Sequence, residues 1–120
     1  ISTYFFSSNI FHEGMERDIA SSGPITIGND VWVASNVVVA SGVNIEDGAV
    51  IGANSVVLGN IPPYAVAVGA PARVVRYRFD PSVIARLLNA KWWNWSDEKL
   101  MLNRDLFLSS LTPELLDSIL

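Results

Sequence analysis

Cysteine is absent from the 120 residues, which excludes a disulfide framework, a thiol nucleophile and thiolate zinc sites. Histidine occurs once, so three imidazoles cannot converge on a metal within one chain, and no metal is expected. Positive charge is scarce too: eight Lys and Arg stand against twelve acids, leaving −4. That balance argues against a whole-surface grip on nucleic acid or an anionic membrane, both of which need a basic field. An anionic ligand must therefore meet a local basic cluster. Long apolar runs are missing as well, since none approaches the roughly 18 residues of a membrane span. The first residues carry neither a charged leader nor an apolar signal core, so a cytoplasmic location is expected. With half the residues hydrophobic and 17% charged, the chain lies far from the composition of disordered segments.

What is present is a period of six. From Ile27 the chain divides into hexads beginning Ile27, Val33, Val39, Ile45, Ile51 and Val57, every first position Ile or Val. The fifth positions, Val31, Val37, Val43, Ala49, Ser55 and Ile61, are small or aliphatic throughout. Six suits neither a 3.6-residue helix nor a hairpin meander, but it suits short β segments separated by corners. First and fifth positions share one face of an extended segment, while Gly, Asn, Asp or Ser near the corner tolerate tight backbone geometry. Three flat sides per coil give about eighteen residues per turn, so residues 27–62 make two turns of a parallel β solenoid. Two coils alone leave unpaired strand edges at both ends.

The flanks differ. Residues 1–23 lack hexad order, contain Phe5, Phe6, Phe11 and Met15, and read as a loop thrown out from coils spanning 24–77. After Tyr77 the pattern turns helical through residue 120. Asp80 can cap a helix with Pro81 at its first position and a Val83, Ile84, Leu87, Leu88 stripe. Ser96 can cap a second helix and Thr112 a third. These helices are expected to lid the coil stack or to pack on a neighbouring subunit.

Gly28-Asn29-Asp30-Val31-Trp32, Ile51-Gly52-Ala53-Asn54-Ser55, Val68-Gly69-Ala70-Pro71-Ala72-Arg73, Arg78-Phe79-Asp80 and Lys91-Trp92-Trp93-Asn94-Trp95 carry a family resemblance. Over roughly residues 1–95 the chain resembles the hexapeptide-repeat acyltransferases, and within them the xenobiotic acetyltransferases of the virginiamycin, streptogramin A and chloramphenicol type. The resemblance implies a left-handed parallel β-helix, although the general crossover rule favours the opposite hand. It also implies a homotrimer with acetyl-CoA as cosubstrate in the groove between adjacent subunits. The reaction it implies is direct O-acetyl transfer to a hydroxyl of a small molecule, such as an antibiotic. A sugar or capsule O-acetyltransferase is the alternative acceptor class, and a truncated, non-catalytic coil domain is the alternative outside enzymes.

Such a transfer needs a base, and an imidazole suits the task because its pKa lies near neutral pH. His12 is the only one present, and an exposed loop histidine is its plainer reading. By resemblance the base lies a few residues before Ser2-Thr3-Tyr4-Phe5-Phe6, hence upstream of Ile1, and the chain is expected to be the C-terminal portion of a longer enzyme. Coenzyme A brings phosphates, and Arg73, Arg76 and Arg78 lie within six residues, a stretch with no acid between Asp47 and Asp80. Guanidinium forks suit phosphate oxygens. A straight strand would put Arg73 on one face and Arg76 with Arg78 on the other, so a corner near Val74 is needed if Arg73 and Arg76 share a ligand. The pantetheine arm is expected along corners rich in small residues, where Ser35 and Ala53 match family positions, followed by Leu58 and Gly59. Trp32 faces outward as the sixth residue of its hexad. By resemblance Trp32 and Tyr4 wall the acceptor site, while Trp92, Trp93 and Trp95 read as packing anchors.

Overall fold

The computed structural model describes residues 2–119, and its corners explain the sequence of the repeat. Fourth positions Asp30, Asn36, Gly42, Gly48 and Asn54 all lie in the left-handed region, at φ 53, 57, 75, 70 and 58°. Only Gly, Asn and Asp enter that region readily, the last two because a short polar side chain can bond its own backbone. Between the corners lie two-residue strands: β1 (Thr26–Ile27), β2 (Trp32–Val33), β3 (Val38–Val39), β4 (Asn44–Ile45), β5 (Val50–Ile51) and β6 (Val56–Val57). Pairing is parallel and shifts by eighteen residues, Ile27 to Ile45, Val33 to Ile51 and Val39 to Val57. The result is a three-sided coil of two full turns.

A third turn begins and is then diverted. Ile61 bridges Ile45, and β7 (Ala65–Gly69) pairs with β5 through Val50 and Val66, sixteen residues on. Instead of a further corner, a hairpin sends β8 (Ala72–Tyr77) back antiparallel to β7, so the largest sheet has the order β2-β5-β7-β8. Within 24–77 the pairing is thus parallel through β7 and antiparallel at β8.

Inside the prism, first and fifth positions do meet. Val43, Ile45, Ala49, Ile51, Val57 and Ile61 are buried, each valine or isoleucine side chain contributing roughly 1.5–3 kcal/mol. Their counterparts in the first turn are less buried: Ile27 is 52% exposed where Ile45 is 1%. The difference is positional, because among the described residues no coil stacks on the first turn.

Helices follow β8: α2 (Pro81–Ala90), a 3₁₀ turn at Trp92–Asn94, α3 (Asp97–Leu102), α4 (Asp105–Leu108) and α5 (Pro113–Asp117). The Ser96 hydroxyl accepts from Lys99 N and the Thr112 hydroxyl from Leu115 N, while Asp80 caps by backbone geometry alone. Tyr64 joins helices to coil, packing with Val83, Leu87 and Leu116. It stacks above Asp30 and Gly48 in the same left-handed corner, at φ 54°, a conformation that costs a tyrosine roughly 1–2 kcal/mol. Arg78 binds this column together, donating to the Asp30 carboxylate at 3.0 Å and the Gly48 carbonyl at 2.7 Å and lying over the rings of Tyr64 and Phe79. Arg86 pairs with Asp117 between α2 and α5.

The N-terminal segment makes its described hydrogen bonds within itself from Ser2 to Ile19. It contains one short helix, α1 (Phe6–Asn9). Asp18 is its organiser, accepting from Ser7 N, Ser8 N and the Ser8 hydroxyl at 3.0, 2.6 and 2.7 Å. Desolvation pulls the Asp18 pKa upward, but the bonds from Ser8 and Ser7 outweigh it and hold the carboxyl below its ordinary value. The segment joins the coil where Ser22 N donates to the Ser41 hydroxyl and Gly42 N to the Gly23 carbonyl.

Candidate functional site

The outer face of the β2-β5-β7-β8 sheet is built of two columns. Partners directly opposite one another in a ladder share a face, so Trp32, Val50, Val66 and Arg76 form one column. In the second, Ala34, Gly52 and Val68 stack below Arg73, with the Ala34 amide donating to Ile51 O and the Gly52 amide to Ala67 O. A Cβ on Gly52 would lie 2.6 Å from Val68 Cγ1, so close approach of these rungs requires glycine. Trp32 is 66% exposed at the foot of the first column and Arg76 stands three strand spacings above it, roughly 14 Å.

Arg73 and Arg76 share this outer face because the strand is bulged. Val66 pairs with Arg76 but Ala67 pairs with Val74, leaving Val75 opposite nothing. One extra residue reverses the alternation of the strand. The break near Val74 needed to bring the two arginines together is therefore a β-bulge within a strand, and the straight-strand separation of Arg73 from Arg76 fails. Their Cα atoms are about two residues apart along the ladder, roughly 7 Å. Both guanidinium groups are exposed, each bonded only to a backbone carbonyl, Ala72 O at 3.1 Å and Tyr77 O at 3.4 Å. Among the described residues neither has a carboxylate partner, whereas Arg78 is committed to Asp30. The basic cluster is a pair of arginines rather than three.

Below Arg73 runs a corner of small residues. Asn54 N donates to the Ser35 carbonyl at 3.0 Å, setting Ala53-Asn54 directly over Ser35-Asn36. Ser55 fixes this corner from inside: its buried hydroxyl donates to Gly52 O at 2.6 Å and accepts from Gly69 N at 3.1 Å. Ser35, Ala53 and Arg73 therefore line one edge of the prism. Leu58 and Gly59 do not join them, because they follow β6 and occupy a different corner, where Leu58 is 61% exposed. Tyr4 is exposed and packs edge-on against Phe6 at 5.3 Å, and exposed His12 sits at φ 55°. The described hydrogen bonds and ring contacts bring neither residue to Trp32 or the arginines. The base expected upstream of Ile1 lies outside the described residues.

Sequence reasoning missed three contributors. Ser55 read as one more small fifth-position residue, and only the inward pointing of that position made its hydroxyl a corner brace. Arg78 shares its charge and neighbourhood with Arg76, so nothing local marked it as the clamp. Tyr64 fell after the last regular hexad. Among the described residues, no three His, Asp or Glu side chains gather as a metal site would require, and no helix is long and apolar enough to cross a membrane.

A two-turn parallel coil with glycine and asparagine corners is a hexapeptide-repeat architecture. Residues 24–59 match the family described as bacterial transferase hexapeptide (six repeats). A probable macrolide acetyltransferase of Lysinibacillus sphaericus is 41% identical over 115 residues, 91% of this chain and 63% of its own. A chloramphenicol acetyltransferase of Agrobacterium fabrum is 44% identical over 79 residues, covering 66% of this chain and 38% of the relative. The galactoside O-acetyltransferase of Escherichia coli K12 is 51% identical over 67 residues, 56% of this chain and 33% of its own. A solved galactoside acetyltransferase in complex with coenzyme A aligns at 45% identity and TM-score 0.47 over 62% of this chain and 34% of its own, an overlap too partial to carry an argument. The resemblance to hexapeptide-repeat acetyltransferases read from the motifs is thereby borne out, on a chain spanning 63% of the first relative and less of the others.

Proposed function

We propose that this chain serves a coenzyme A-dependent O-acetyltransferase, moving acetyl from acetyl-CoA to a hydroxyl of a small molecule of the antibiotic type. The observation that carries this reading is the bulge that sets Arg73 and Arg76, unpaired with any described carboxylate, above the Ser35 and Ala53 corner. On this reading the arginines hold the phosphates of the cosubstrate by charge-assisted bonds. The uncharged arm then runs down the small-residue edge, where backbone groups are within reach. Leu58 and Gly59, on the next corner of the prism, serve the arm from a neighbouring subunit of a homotrimer, and the coil is left-handed. Trp32 and Tyr4 wall the acceptor hydroxyl, whose proton goes to a histidine base; His12 is the only imidazole in the chain. Transfer is direct, with backbone donors facing the tetrahedral oxyanion and no acyl-enzyme. Chloramphenicol and macrolide relatives favour an antibiotic acceptor, while the galactoside relative supports the sugar alternative.

Calorimetric titration of the 120-residue chain with coenzyme A, dephospho-coenzyme A and pantetheine tests the cosubstrate reading. Affinity should fall along that series, and Arg73→Ala or Arg76→Ala should weaken coenzyme A roughly tenfold or more while leaving pantetheine unchanged. Equal affinity for coenzyme A and pantetheine would sink it. Acetylation of streptogramin A, chloramphenicol or a galactoside then separates the acceptor classes, and binding without transfer identifies a non-catalytic coil domain.

A further inference from the structure

Behind the edge that joins Ser35 and Ala53 to Arg73, the β5-β7 ladder is opened at its end. The two strands pair in parallel at Val50 with Val66 and Ile51 with Ala67, and Gly52 N then donates to Ala67 O. In a parallel ladder the carbonyl of a donating residue accepts from the amide two places beyond its own acceptor, so the partner due to Gly52 O is Gly69 N. A side chain stands between them instead. The Ser55 hydroxyl donates to Gly52 O at 2.6 Å and accepts from Gly69 N at 3.1 Å. With tetrahedral geometry at that oxygen the two backbone groups are held roughly 4.5 Å apart, against about 2.9 Å for a direct bond. Ser55 is 0% exposed, so whatever it does for the outer face passes through these two backbone groups.

The two arginines depend on this spacing unequally. Arg76 pairs with Val66, which is itself held by Val50 in the regular ladder. Arg73 pairs with Val68, the neighbour of Gly69, and Gly69 with Ala72 is the last pair before the hairpin turns. Among the described residues, the bond from Gly69 N is the last that ties this tip to the coil.

We propose that Ser55 is a positioning residue for the cosubstrate, spacing the hairpin tip from the Gly52-Ala53 corner so that Arg73 reaches a phosphate while the uncharged arm lies along that corner. The proposal rests on the coenzyme A reading of the site. Arg76 is placed by register and bulge, Arg73 by a buried hydroxyl. Without that hydroxyl Gly69 N either closes on Gly52 O, drawing the tip inward by more than about 1 Å, or loses its partner and releases the tip. Both move Arg73 relative to Ala53, and a misplacement of about 1 Å is enough to weaken a positioned contact severely.

Calorimetric titrations of coenzyme A and pantetheine into the unaltered chain, Ser55→Ala, Ser55→Cys and their combinations with Arg73→Ala and Arg76→Ala test this role. Ser55→Ala should weaken coenzyme A about tenfold, no more than Arg73→Ala does, and leave pantetheine within about twofold. In the Arg73→Ala background the same change should cost nothing further, whereas in the Arg76→Ala background it should cost its full tenfold. A hydroxyl that served stability alone would act equally in both. Ser55→Cys keeps the volume but bonds weakly, so its loss should be smaller and follow the same pattern, and it carries the comparison if circular dichroism shows the alanine variant unfolded. In the unaltered chain the Gly69 amide should exchange slowly despite its place beside the turn. Equal affinity of the unaltered chain for coenzyme A and pantetheine would overturn the cosubstrate reading and this proposal with it. If that chain discriminates and Arg73→Ala weakens coenzyme A, three results would overturn the role of Ser55 alone: folded Ser55 variants that bind as the unaltered chain does, equal losses in both arginine backgrounds, or a freely exchanging Gly69 amide.

Discussion

Removing a residue from the middle of a β-strand ordinarily turns every later side chain to the wrong face and costs the strand its core contacts. Deleting Val75 should not. The ladder pairs Arg73 with Val68, Val74 with Ala67, Arg76 with Val66 and Tyr77 with Ala65, and Val75 is the residue left over. Without it the same four pairs form a regular antiparallel ladder, with Arg73 and Arg76 now two apart and still facing outward. Because residue 74 is also valine, removing either one gives the same protein. Val75 is 59% exposed, so the loss of its partial burial costs about 1 kcal/mol, set against a ladder freed of its irregularity. At this chain length that corresponds to a Tm lower by about 4 °C. Coenzyme A affinity should stay within about threefold, whereas Arg76→Ala removes a charge-assisted bond worth roughly 1.5–3 kcal/mol, about tenfold or more in Kd. Deleting Val66 from the unbulged partner strand is the control, and it should unfold the sheet. Thermal scans and calorimetry on the three variants decide the question. A folded Val75 deletion that loses coenzyme A as Arg76→Ala does, or a deletion as disruptive as that of Val66, would refute the register argument.

Other outcomes follow from the corner column. Arg78→Met keeps much of the stem packing but loses the bond to Gly48 O, the partly exposed pair with Asp30 and two ring contacts, together about 3 kcal/mol. Thermal unfolding should show this as a Tm about 10 °C lower, and a loss no greater than that of Asp30→Asn would mean the carbonyl bond contributes little. Gly48→Ala places a methyl 2.5 Å from Tyr64 Cε1 at φ +70°, and strain with overpacking should cost about 3 kcal/mol by urea midpoint. Gly14→Ala, at φ +94° with open space around it, should cost only the backbone part, about 1 kcal/mol. Asp18, held below its ordinary pKa, stabilises its segment fully above that ordinary value and loses the contribution as pH falls through the folded-state pKa. Amide exchange at Ser7 and Ser8 should therefore quicken on acidification, and Asp18→Asn should show the fast exchange at neutral pH.

Sequence alone determined the coil, and for a physical reason. Each hexad is a local unit: an aliphatic first residue that must face inward and a Gly, Asn or Asp that can enter the left-handed corner, as Asn36, Gly42, Gly48 and Asn54 do. Period and corner chemistry are short-range, so they are legible along the chain. The pair of corner residues Ser35 and Ala53 was legible for the same reason, being one eighteen-residue turn apart. Beyond the repeat the deciding interactions are long-range. Only the tertiary structure showed that Val75 is skipped in the ladder and that Arg76 thereby joins Arg73. Likewise Arg78 turned away to Asp30, forty-eight residues distant, and Leu58 fell on a corner other than that of Ala53. Register, bulge and ion pairing are set by what lies across the sheet, a neighbour that composition and spacing within one strand do not name.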